Sequence, residues 1–348
     1  MNEFATIIEQ WYAEHRRDLP WRDTKDPYKI WVSEIILQQT QVKQGYEYYL
    51  RFVNRFPDVQ TLAEADEDEV LNYWQGLGYY SRARNMHAAA QSMKGRFPTT
   101  YEGVRALKGV GDYTAAAICS FAYGMPLAVV DGNVYRVLAR YAGIDTPIDS
   151  TAGVKLFSQL AEELLDNREP SLYNQAIMDF GALQCTPGRP QCESCPLQET
   201  CVAFREGRVE QLPVKQHKTQ QTNRYFHYFL IRQGDDTLIC KRTGKDIWKN
   251  LYELPMVETE KETTDDPTEV FTKLRNNIGT TAQLDFRLLR QGVKHVLSHR
   301  IIWADFYEVR VPEGAEMCLG DKYLRVNLDA LGDYAFPVLV NNFLRKYL

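Results

Sequence analysis

The sequence predicts two parts of different fold class, an all-α region over residues 1–205 and an α+β region over residues 225–348. Three observations predict this division. Apolar residues recur at helical spacing through the first region. Residues 206–224 are polar and carry few large apolar side chains, which is typical of an interdomain linker. After residue 225, short segments rich in β-branched and aromatic residues indicate strands.

Apolar residues at intervals of three and four predict amphipathic helices along the first region. Short Gly or Pro breaks separate these segments, for instance at Gly76–Gly78 and Gly109–Gly111. The pattern therefore predicts a compact helical bundle with short turns. The segments are Trp31–Tyr49, Val70–Tyr80, Ala83–Met93, Thr114–Tyr123, Val134–Tyr141, Val154–Leu165 and Leu172–Leu183.

The second region mixes both kinds of element. Two helices are predicted, at Pro267–Asn277 with Asp266 as its cap, and at Pro337–Tyr347. Because strands and helices alternate irregularly, we expect an α+β fold with a mixed or antiparallel sheet. The predicted strands are Tyr225–Arg232, Thr237–Arg242 and Ile301–Val309.

The charge and hydropathy of the chain limit its partners. A net charge of −5 argues against nucleic-acid binding through a bulk field, so any such binding depends on local patches, helix N-termini and backbone donors. No apolar run approaches the ~20 residues of a membrane-spanning helix. The N-terminus lacks the basic start, apolar stretch and cleavage site of a signal peptide. We therefore expect a soluble, cytoplasmic protein with no membrane partner.

Four of the seven cysteines lie close together, at Cys185, Cys192, Cys195 and Cys201. Their spacing, Cys-x6-Cys-x2-Cys-x5-Cys, places four thiolates in one short loop, which suits a single iron–sulfur cluster. Structural zinc also takes four cysteines, although its sites more often have two Cys-x2-Cys pairs. Spacing alone therefore favours a cluster and leaves zinc open. The role of a cluster here also stays open, between redox chemistry and holding the loop in place.

A Gly-x-Gly turn, Gly109-Val110-Gly111, separates two helical stretches. Glycine lets the backbone adopt positive φ and approach a ligand closely. The amides of Val110 and Gly111, at the start of the next helix, could then point at a phosphate. The alternative is an ordinary helix–helix turn, because a lone Gly-x-Gly is a weak signal.

Two carboxylates stand out by their surroundings. Asp131 precedes Gly-Asn-Val at a helix start, where its first expected role is to cap the helix by accepting N–H bonds. Glu34 has Ile30, Trp31 and Leu37 as helical neighbours, so its pKa is expected to be raised and it could act as an acid near neutral pH. The alternative for Glu34 is a position at the polar edge of an amphipathic helix.

Several segments resemble the endonuclease III and MutY families of DNA glycosylases. The loop QCTPGRPQCESCPLQETC is similar to their cluster loop, LKGVGDYTA (about residues 101–123 with its flanking helices) resembles their helix-hairpin-helix, and SEIILQQTQV and VVDGNVYRVLAR are similar to the catalytic segments of MutY. The resemblance implies one [4Fe-4S] cluster, held by the four cysteines in a loop over residues 185–201. It also implies phosphate contacts by Gly109, Val110 and Gly111.

The same resemblance assigns catalytic roles. Glu34 matches the acid that protonates adenine N7, and Asp131 matches the aspartate that stabilises or attacks the cationic sugar. Asn133 matches a residue that hydrogen-bonds beside that aspartate. Tyr113 stands where the bifunctional branch has a lysine, and a phenol cannot form a Schiff base, so a monofunctional enzyme is implied.

Other matches imply contacts with damaged DNA. Gln39 and Tyr79 match residues that enter the duplex beside the lesion, where wedging side chains hold a flipped base out of the stack. The C-terminal region resembles a Nudix fold, and HVLSH is similar to a loop that reads oxidised guanine, with Ser298 and His299 at the matching positions. The family has Phe where this chain has Leu297.

Pyrophosphate hydrolysis by the Nudix-like region is not expected. A Nudix hydrolase needs glutamates to hold magnesium around phosphates, and the three glutamate positions here carry Lys273, Asn276 and Asn277.

The resemblance as a whole implies a MutY-type glycosylase of base-excision repair in the bacterial cytosol, associated with the nucleoid. Its substrate would be duplex DNA with adenine opposite 8-oxoguanine or guanine, and it would act as a monomer. Two alternatives are a glycosylase for oxidised pyrimidines, and a non-catalytic iron–sulfur protein that binds DNA or carries electrons.

Overall fold

The computed structural model describes residues 3–217, 220–260 and 267–348, and Asp266, the predicted helix cap, lies outside these ranges. The described residues form two compact units. The first runs to Glu64 and resumes at Asn85, and the second contains Ala65–Arg84 together with the C-terminal part of the chain. The prediction of an all-α part followed by an α+β part is confirmed.

Twelve α-helices of the described chain precede its first strand. No helix within the described ranges is long and apolar enough to cross a membrane. The helices are α1 (Glu3–His15), α2 (Pro27–Leu37), α3 (Val42–Arg55), α4 (Val59–Glu64), α5 (Glu67–Trp74), α6 (Ser81–Ser92), α7 (Tyr101–Arg105), α8 (Asp112–Tyr123), α9 (Gly132–Ala142), α10 (Thr151–Leu164), α11 (Pro170–Leu183) and α12 (Val202–Arg205).

One core cluster of the first unit is built from the apolar stripes of α1, α9, α10 and α11. Phe4, Leu138, Phe157 and Phe180 are all buried in it. Burial of such side chains is the main favourable term in folding. The partly buried Cys185, Cys195 and Cys201 pack against the same core, so the cysteine loop is tied to the helices that carry the site.

Two helices end earlier than their apolar pattern predicts. The segment predicted as one helix over Trp31–Tyr49 is divided into α2 and α3, because the backbone turns at Gln39, which has a φ of 55°. The helix predicted over Val70–Tyr80 ends at Trp74, since Gly76, Gly78 and Tyr79 all have positive φ. Positive φ at Gln39 and Tyr79 is uncommon for residues with a Cβ and marks both loops as candidate functional positions.

The second unit contains two β-sheets. In the four-stranded sheet, of order β4-β1-β6-β5, β1 pairs parallel with β6, and β4 and β5 are antiparallel edges. A three-stranded antiparallel sheet has the order β3-β2-β7. The four-stranded sheet is therefore mixed and the three-stranded sheet is antiparallel, and the prediction was a mixed or antiparallel sheet. The strands are β1 (Thr222–Arg232), β2 (Asp236–Lys241), β3 (Tyr252–Glu253), β4 (Met256–Thr259), β5 (Asp285–Val296), β6 (Arg300–Arg310) and β7 (Tyr323–Asn327).

Two helices cover the four-stranded sheet, one on each face. On β1, Phe226 and Tyr228 pack in one core with α14 (Val338–Tyr347), whereas Phe229 and Ile231 pack in another with α13 (Thr268–Ile278). This alternation follows from the two-residue period of a strand. Strand β5 was not predicted, because it is an exposed edge strand with two bulges and an interior Gly292.

Candidate active site

The first unit contains a cavity of about 740 Å³ whose wall includes both predicted catalytic carboxylates. Glu34 on α2 and Asp131 at the start of α9 line it together with Tyr113 and Asn133. Pockets that bind small ligands have volumes of about 300–1,000 Å³. The structure therefore brings together, in one cavity of suitable size, the four residues to which the resemblance assigns catalysis.

Glu34 is buried in this cavity wall, with 8% of its surface exposed. Its Oε2 accepts a hydrogen bond from the hydroxyl of Tyr113 at 2.9 Å. Burial raises the pKa of Glu34 from 4.5 to about 7, although the Tyr113 hydroxyl and the guanidinium of Arg22 oppose the rise. A carboxyl with this pKa keeps its proton in a large share of molecules at neutral pH and can give it to a bound base.

Asp131 caps helix α9, as predicted from its sequence context. Its Oδ1 accepts from the backbone N–H groups of Asn133 and Val134, and its Oδ2 accepts from Nδ2 of Asn133, each at 2.8 Å. Burial raises the pKa of Asp131, and these three donors oppose the rise. The helix N-terminus also favours a negative charge at this point.

Arg136 is a site residue that sequence reasoning missed. It lines the cavity from α9, and its Nη2 donates to Oδ1 of Asn133 at 2.8 Å and to the carbonyl of Gly181 at 2.6 Å. Its Nε donates to the carbonyl of Cys185 at 2.7 Å. The side chain that binds the Asp131 carboxylate is thus itself held by an arginine anchored at the cysteine loop.

Arg22 is a second missed residue of the cavity wall. Its Nη2 donates to Oδ1 of Asp179 at 2.7 Å, and Nε of Arg17 donates to the same oxygen at 3.1 Å. Asp179 is fully buried on α11, so its charge needs these partners. The sequence signal for this contact was Asp179 itself, an aspartate in the middle of an otherwise apolar helix. The ion pair with Asp179 holds the Arg22 guanidinium in place, and this cation lowers the pKa of Glu34.

Gln39 and the Gly-x-Gly turn also belong to the first unit. Gln39 lines the cavity from the turn between α2 and α3. The Gly109–Gly111 turn joins α7 to α8, and Gly109 has a φ of 82°. A Cβ at Gly109 would lie 2.8 Å from Cβ of Asn85, so only glycine fits there. Gly111 forms the N-cap of α8.

The four clustered cysteines are free thiols in the loop that follows α11. Burial raises the pKa of Cys192, Cys195 and Cys201, and a negative charge on Cys185 raises each of them further. Nη1 of Arg140 donates to Sγ of Cys185 at 3.3 Å. Four cysteines in one loop, with a guanidinium bonded to one of them, have the ligand chemistry that an iron–sulfur cluster takes. Within the described ranges, no group of three or more Cys, His, Asp or Glu is placed to hold a metal ion.

The remaining predicted DNA contacts lie in the second unit. Ser298 and His299 are exposed in the turn between β5 and β6, and the hydroxyl of Ser298 is hydrogen-bonded to the hydroxyl of Tyr79. Tyr79 is 44% exposed. Leu297, where the family has Phe, packs partly buried against the core of the unit. The turn thus presents polar groups outward and keeps its apolar residue inside.

Helix α13 carries the residues that occupy the Nudix glutamate positions. Lys273, Asn276 and Asn277 are exposed there, and Lys273 forms an ion pair with Glu269 at 2.6 Å. Two amides and a paired ammonium give a magnesium ion no carboxylate at these three positions.

Comparison with known families assigns both regions. Residues 32–162 match the family described as HhH-GPD superfamily base excision DNA repair protein, and residues 227–346 match the NUDIX domain. A solved structure described as a thermostable thymine-DNA glycosylase is 30% identical, with a TM-score of 0.55, over 58% of this chain and 95% of that chain. Fold and site together define a helix-hairpin-helix DNA glycosylase with a Nudix-like C-terminal domain.

Curated relatives identify the family within that class. An adenine DNA glycosylase of Buchnera aphidicola subsp. Baizongia pistaciae is 38% identical over 72% of this chain and 73% of its own length. The adenine DNA glycosylase of Homo sapiens is 43% identical over 60% of this chain and 41% of its own length. The chain belongs to the adenine DNA glycosylase family. It is an enzyme of base-excision repair that removes adenine by hydrolysing its N-glycosyl bond.

Proposed function

We propose that the substrate is adenine paired with 8-oxoguanine or guanine in duplex DNA, and that the enzyme leaves an abasic site. The observation that carries this proposal is the shared cavity in which Glu34, bonded to Tyr113, lies with the capped carboxylate of Asp131. An adenine nucleotide flipped out of the duplex would meet Glu34 at its base and Asp131 at its sugar. Flipping costs a few kcal/mol, and it is least costly for a mispaired base.

Glu34 is the general acid of the proposed mechanism. Its raised pKa supplies a proton for adenine N7, which makes the base a better leaving group. The Tyr113 hydroxyl fixes the orientation of the Glu34 carboxyl through its bond to Oε2. After the base has left, the Glu34 carboxylate can accept a proton from the attacking water.

Asp131 stabilises the positive charge that develops on the deoxyribose, or attacks the sugar directly. A carboxylate that accepts three N–H bonds at a helix N-terminus keeps its charge in a buried site. Asn133 holds Oδ2 of Asp131, so the orientation of the anion is fixed before the substrate binds.

The absence of a lysine at position 113 supports a monofunctional reaction. A Schiff base with the sugar requires an amine, and the Tyr113 phenol offers none. Burial raises the pKa of Tyr113 well above its ordinary value, so the hydroxyl stays protonated and acts as a hydrogen-bond donor.

Contacts with DNA are proposed for four loops. Backbone amides of the Gly109–Gly111 turn, at the start of α8, would bind a phosphate. Gln39 and Tyr79 are each proposed to enter the duplex beside the lesion. The hydroxyl of Ser298, with His299 beside it, would read the opposite base, because 8-oxoguanine carries a hydrogen on N7 where guanine has only a lone pair. A hydroxyl can accept from that N–H.

A [4Fe-4S] cluster is proposed on Cys185, Cys192, Cys195 and Cys201. When bound, such a cluster supplies a covalent cross-link of the loop and one-electron redox chemistry. Visible absorbance and metal analysis of the purified protein would separate iron from zinc. Cys192→Ser is expected to lower the iron content, whereas Cys318→Ser, at an exposed cysteine outside the loop, is expected to leave it unchanged.

The test of the proposed function is a cleavage assay on four duplexes, with adenine opposite 8-oxoguanine, guanine or thymine, and with thymine glycol as an oxidised pyrimidine. Alkali reveals abasic sites. We expect alkali-dependent cleavage of the first two only, and no activity from Glu34→Gln. Excision of thymine glycol would support the pyrimidine-specific alternative, and base release by Glu34→Gln and Asp131→Asn would contradict the mechanism.

A further inference from the structure

The segment Ala65–Arg84, which we name the Tyr79 arm, lies inside the stretch matched by the helix-hairpin-helix family, yet it belongs to the second structural unit. Polar side chains along the arm contact that unit at several separate points. The arm ends in the loop that carries Tyr79, whose hydroxyl is bonded to Ser298. The contacts that hold the arm therefore also determine the position of Tyr79 relative to Ser298, in the turn proposed to read the base opposite adenine.

One of these contacts is at Asp68, on α5, and it joins two residues of the unit at once. Its Oδ1 forms an ion pair with Nζ of Lys241, and its Oδ2 accepts a hydrogen bond from the hydroxyl of Tyr252 at 3.0 Å. The Lys241 ammonium also lies over the Tyr252 ring, 5.2 Å from its centroid. The Asp68 carboxylate thus binds two residues of the second unit, Lys241 on β2 and Tyr252 on β3. These two residues are paired partners in the sheet.

Two further contacts hold the arm at its other end. The Tyr80 hydroxyl donates to the carbonyl of Phe336 at 3.4 Å, and Nη1 of Arg84 donates to the carbonyl of Lys249 at 2.7 Å. The Tyr79 loop lies between these contacts and Asp68. Its position relative to Ser298 is consequently fixed from both sides.

Arg82 makes the loop itself stiff. Its Nη2 donates to the carbonyls of Leu77 and Gly78, and its guanidinium lies 5.3 Å from the centroid of the Tyr79 ring. Nε1 of Trp74, at the end of α5, also donates to the carbonyl of Gly78 at 3.1 Å, so a shift of α5 would be passed on to the loop that carries Tyr79. A hydrogen bond between two hydroxyls weakens steeply once its length and angle leave a narrow range.

We propose that Asp68, Lys241 and Tyr252 form an anchor that sets the preference of the enzyme for 8-oxoguanine over guanine opposite adenine. The three are positioning residues, which act by holding Tyr79 in register with Ser298 and do not touch the substrate themselves. This inference rests on the proposed function. Because the Asp68 and Lys241 side chains are 40% and 34% exposed, the effect of losing their ion pair is modest.

The test compares kcat/KM on duplexes with adenine opposite 8-oxoguanine and opposite guanine. Asp68→Lys and Lys241→Asp are each expected to lower the ratio of the two values by about two- to fivefold, the loss expected for one such pair. The charge-swapped double variant is expected to restore it. Tyr252→Phe, which keeps the ring and removes the hydroxyl, is expected to lower the ratio without loss of thermal stability.

Asp66→Asn is the matched control, because Asp66 is an exposed acid beside the same helix whose side chain makes no capping bond. It should keep the wild-type ratio. An unchanged ratio in the single variants, equal losses on both duplexes, or no recovery in the double variant would overturn the inference. If the wild type cleaves neither duplex, the proposed function fails; if it cleaves both equally well, the proposed function stands and this inference alone fails.

Discussion

Arg136 donates hydrogen bonds to the Asn133 side chain at 2.8 Å and to the carbonyl of Cys185 at 2.7 Å. The first contact reaches Asp131 through Nδ2 of Asn133. The second reaches the first cysteine of the predicted cluster loop. The Asp131 carboxylate and the cysteine loop are therefore connected by a short chain of hydrogen bonds along one face of α9, and loosening either end should disturb the other.

Replacing Arg136 by Met is expected to lower the rate of adenine release while leaving DNA affinity largely unchanged. The arginine is 8% exposed, and its loss removes the donor that it supplies to Asn133 Oδ1 and to two main-chain carbonyls. A buried hydrogen bond to a charged group contributes about 1.5–3 kcal/mol, which corresponds to roughly 10- to 100-fold in rate. Single-turnover kinetics on adenine opposite 8-oxoguanine measures the effect.

Arg136→Lys serves as the comparison, because lysine keeps the charge and cannot reach all three acceptors with one ammonium. We expect it to recover only part of the rate. Full recovery by lysine would show that charge alone matters, and would contradict the positioning role assigned to the guanidinium.

Replacing Glu34 by Gln is expected to abolish activity and to stabilise the fold at neutral pH. The folded state holds the Glu34 proton up to a pKa of about 7, whereas the unfolded chain releases it near 4.5. Stability is therefore lost as pH rises from 4.5 to 7 and stays constant above that range. The shift corresponds to on the order of 3 kcal/mol at most.

Urea unfolding of both proteins at pH 4 and pH 8 checks this expectation. The difference in free energy of unfolding between Glu34→Gln and wild type should be larger at pH 8 than at pH 4. An equal difference at the two pH values would mean that Glu34 does not carry a raised pKa in the folded state.

The pH dependence of kcat/KM should be bell-shaped. Above about pH 7 the rate falls because Glu34 loses the proton that it donates. In acid it falls because Asp131, whose pKa is raised by burial, becomes protonated and no longer stabilises a cation. Tyr113→Phe removes a hydrogen bond that lowers the pKa of Glu34, so its alkaline limb should move to higher pH. A shift to lower pH would contradict the assignment of that limb to Glu34.

Much of the site follows from local sequence. Asp131 precedes Gly-Asn-Val, a helix start that needs an acceptor, and the structure shows it bonded to Asn133 and Val134. Glu34 is flanked by apolar side chains on its own helix, and burial is the main cause of its raised pKa. Both predictions depend on contacts within a few residues along the chain, which a single sequence records.

Other parts depend on distant contacts and leave no local signature. The turn at Gln39 interrupts Gln38–Gln41, whose residues are all compatible with a helix, so only tertiary structure determines the break. Arg136 looks like a surface cation of an amphipathic helix, because its partners are main-chain carbonyls at residues 181 and 185. The Tyr79 arm contacts β2 and β3 across more than 150 residues of chain, and no periodicity predicts such pairing.

The bond between Tyr79 and Ser298 leads to a prediction on mispair recognition. Tyr79→Phe keeps the ring that would enter the duplex and removes the hydroxyl that binds Ser298, whereas Ser298→Ala removes the other partner. Each is expected to weaken binding to adenine opposite 8-oxoguanine by about two- to tenfold, the usual effect of one hydrogen bond. Because both variants break the same bond, the double variant should lose less than the product of the two single losses.

Equilibrium binding to uncleaved duplex measures these losses without turnover, with Glu34→Gln as the parent protein and each change, or both, added to it. With guanine opposite adenine, where N7 has no hydrogen to donate, the Ser298→Ala loss should be smaller. Two outcomes would contradict this role of the Tyr79 hydroxyl in recognition of the oxidised base. One is a double variant whose loss of affinity equals the product of the two single losses, and the other is the same loss on both duplexes.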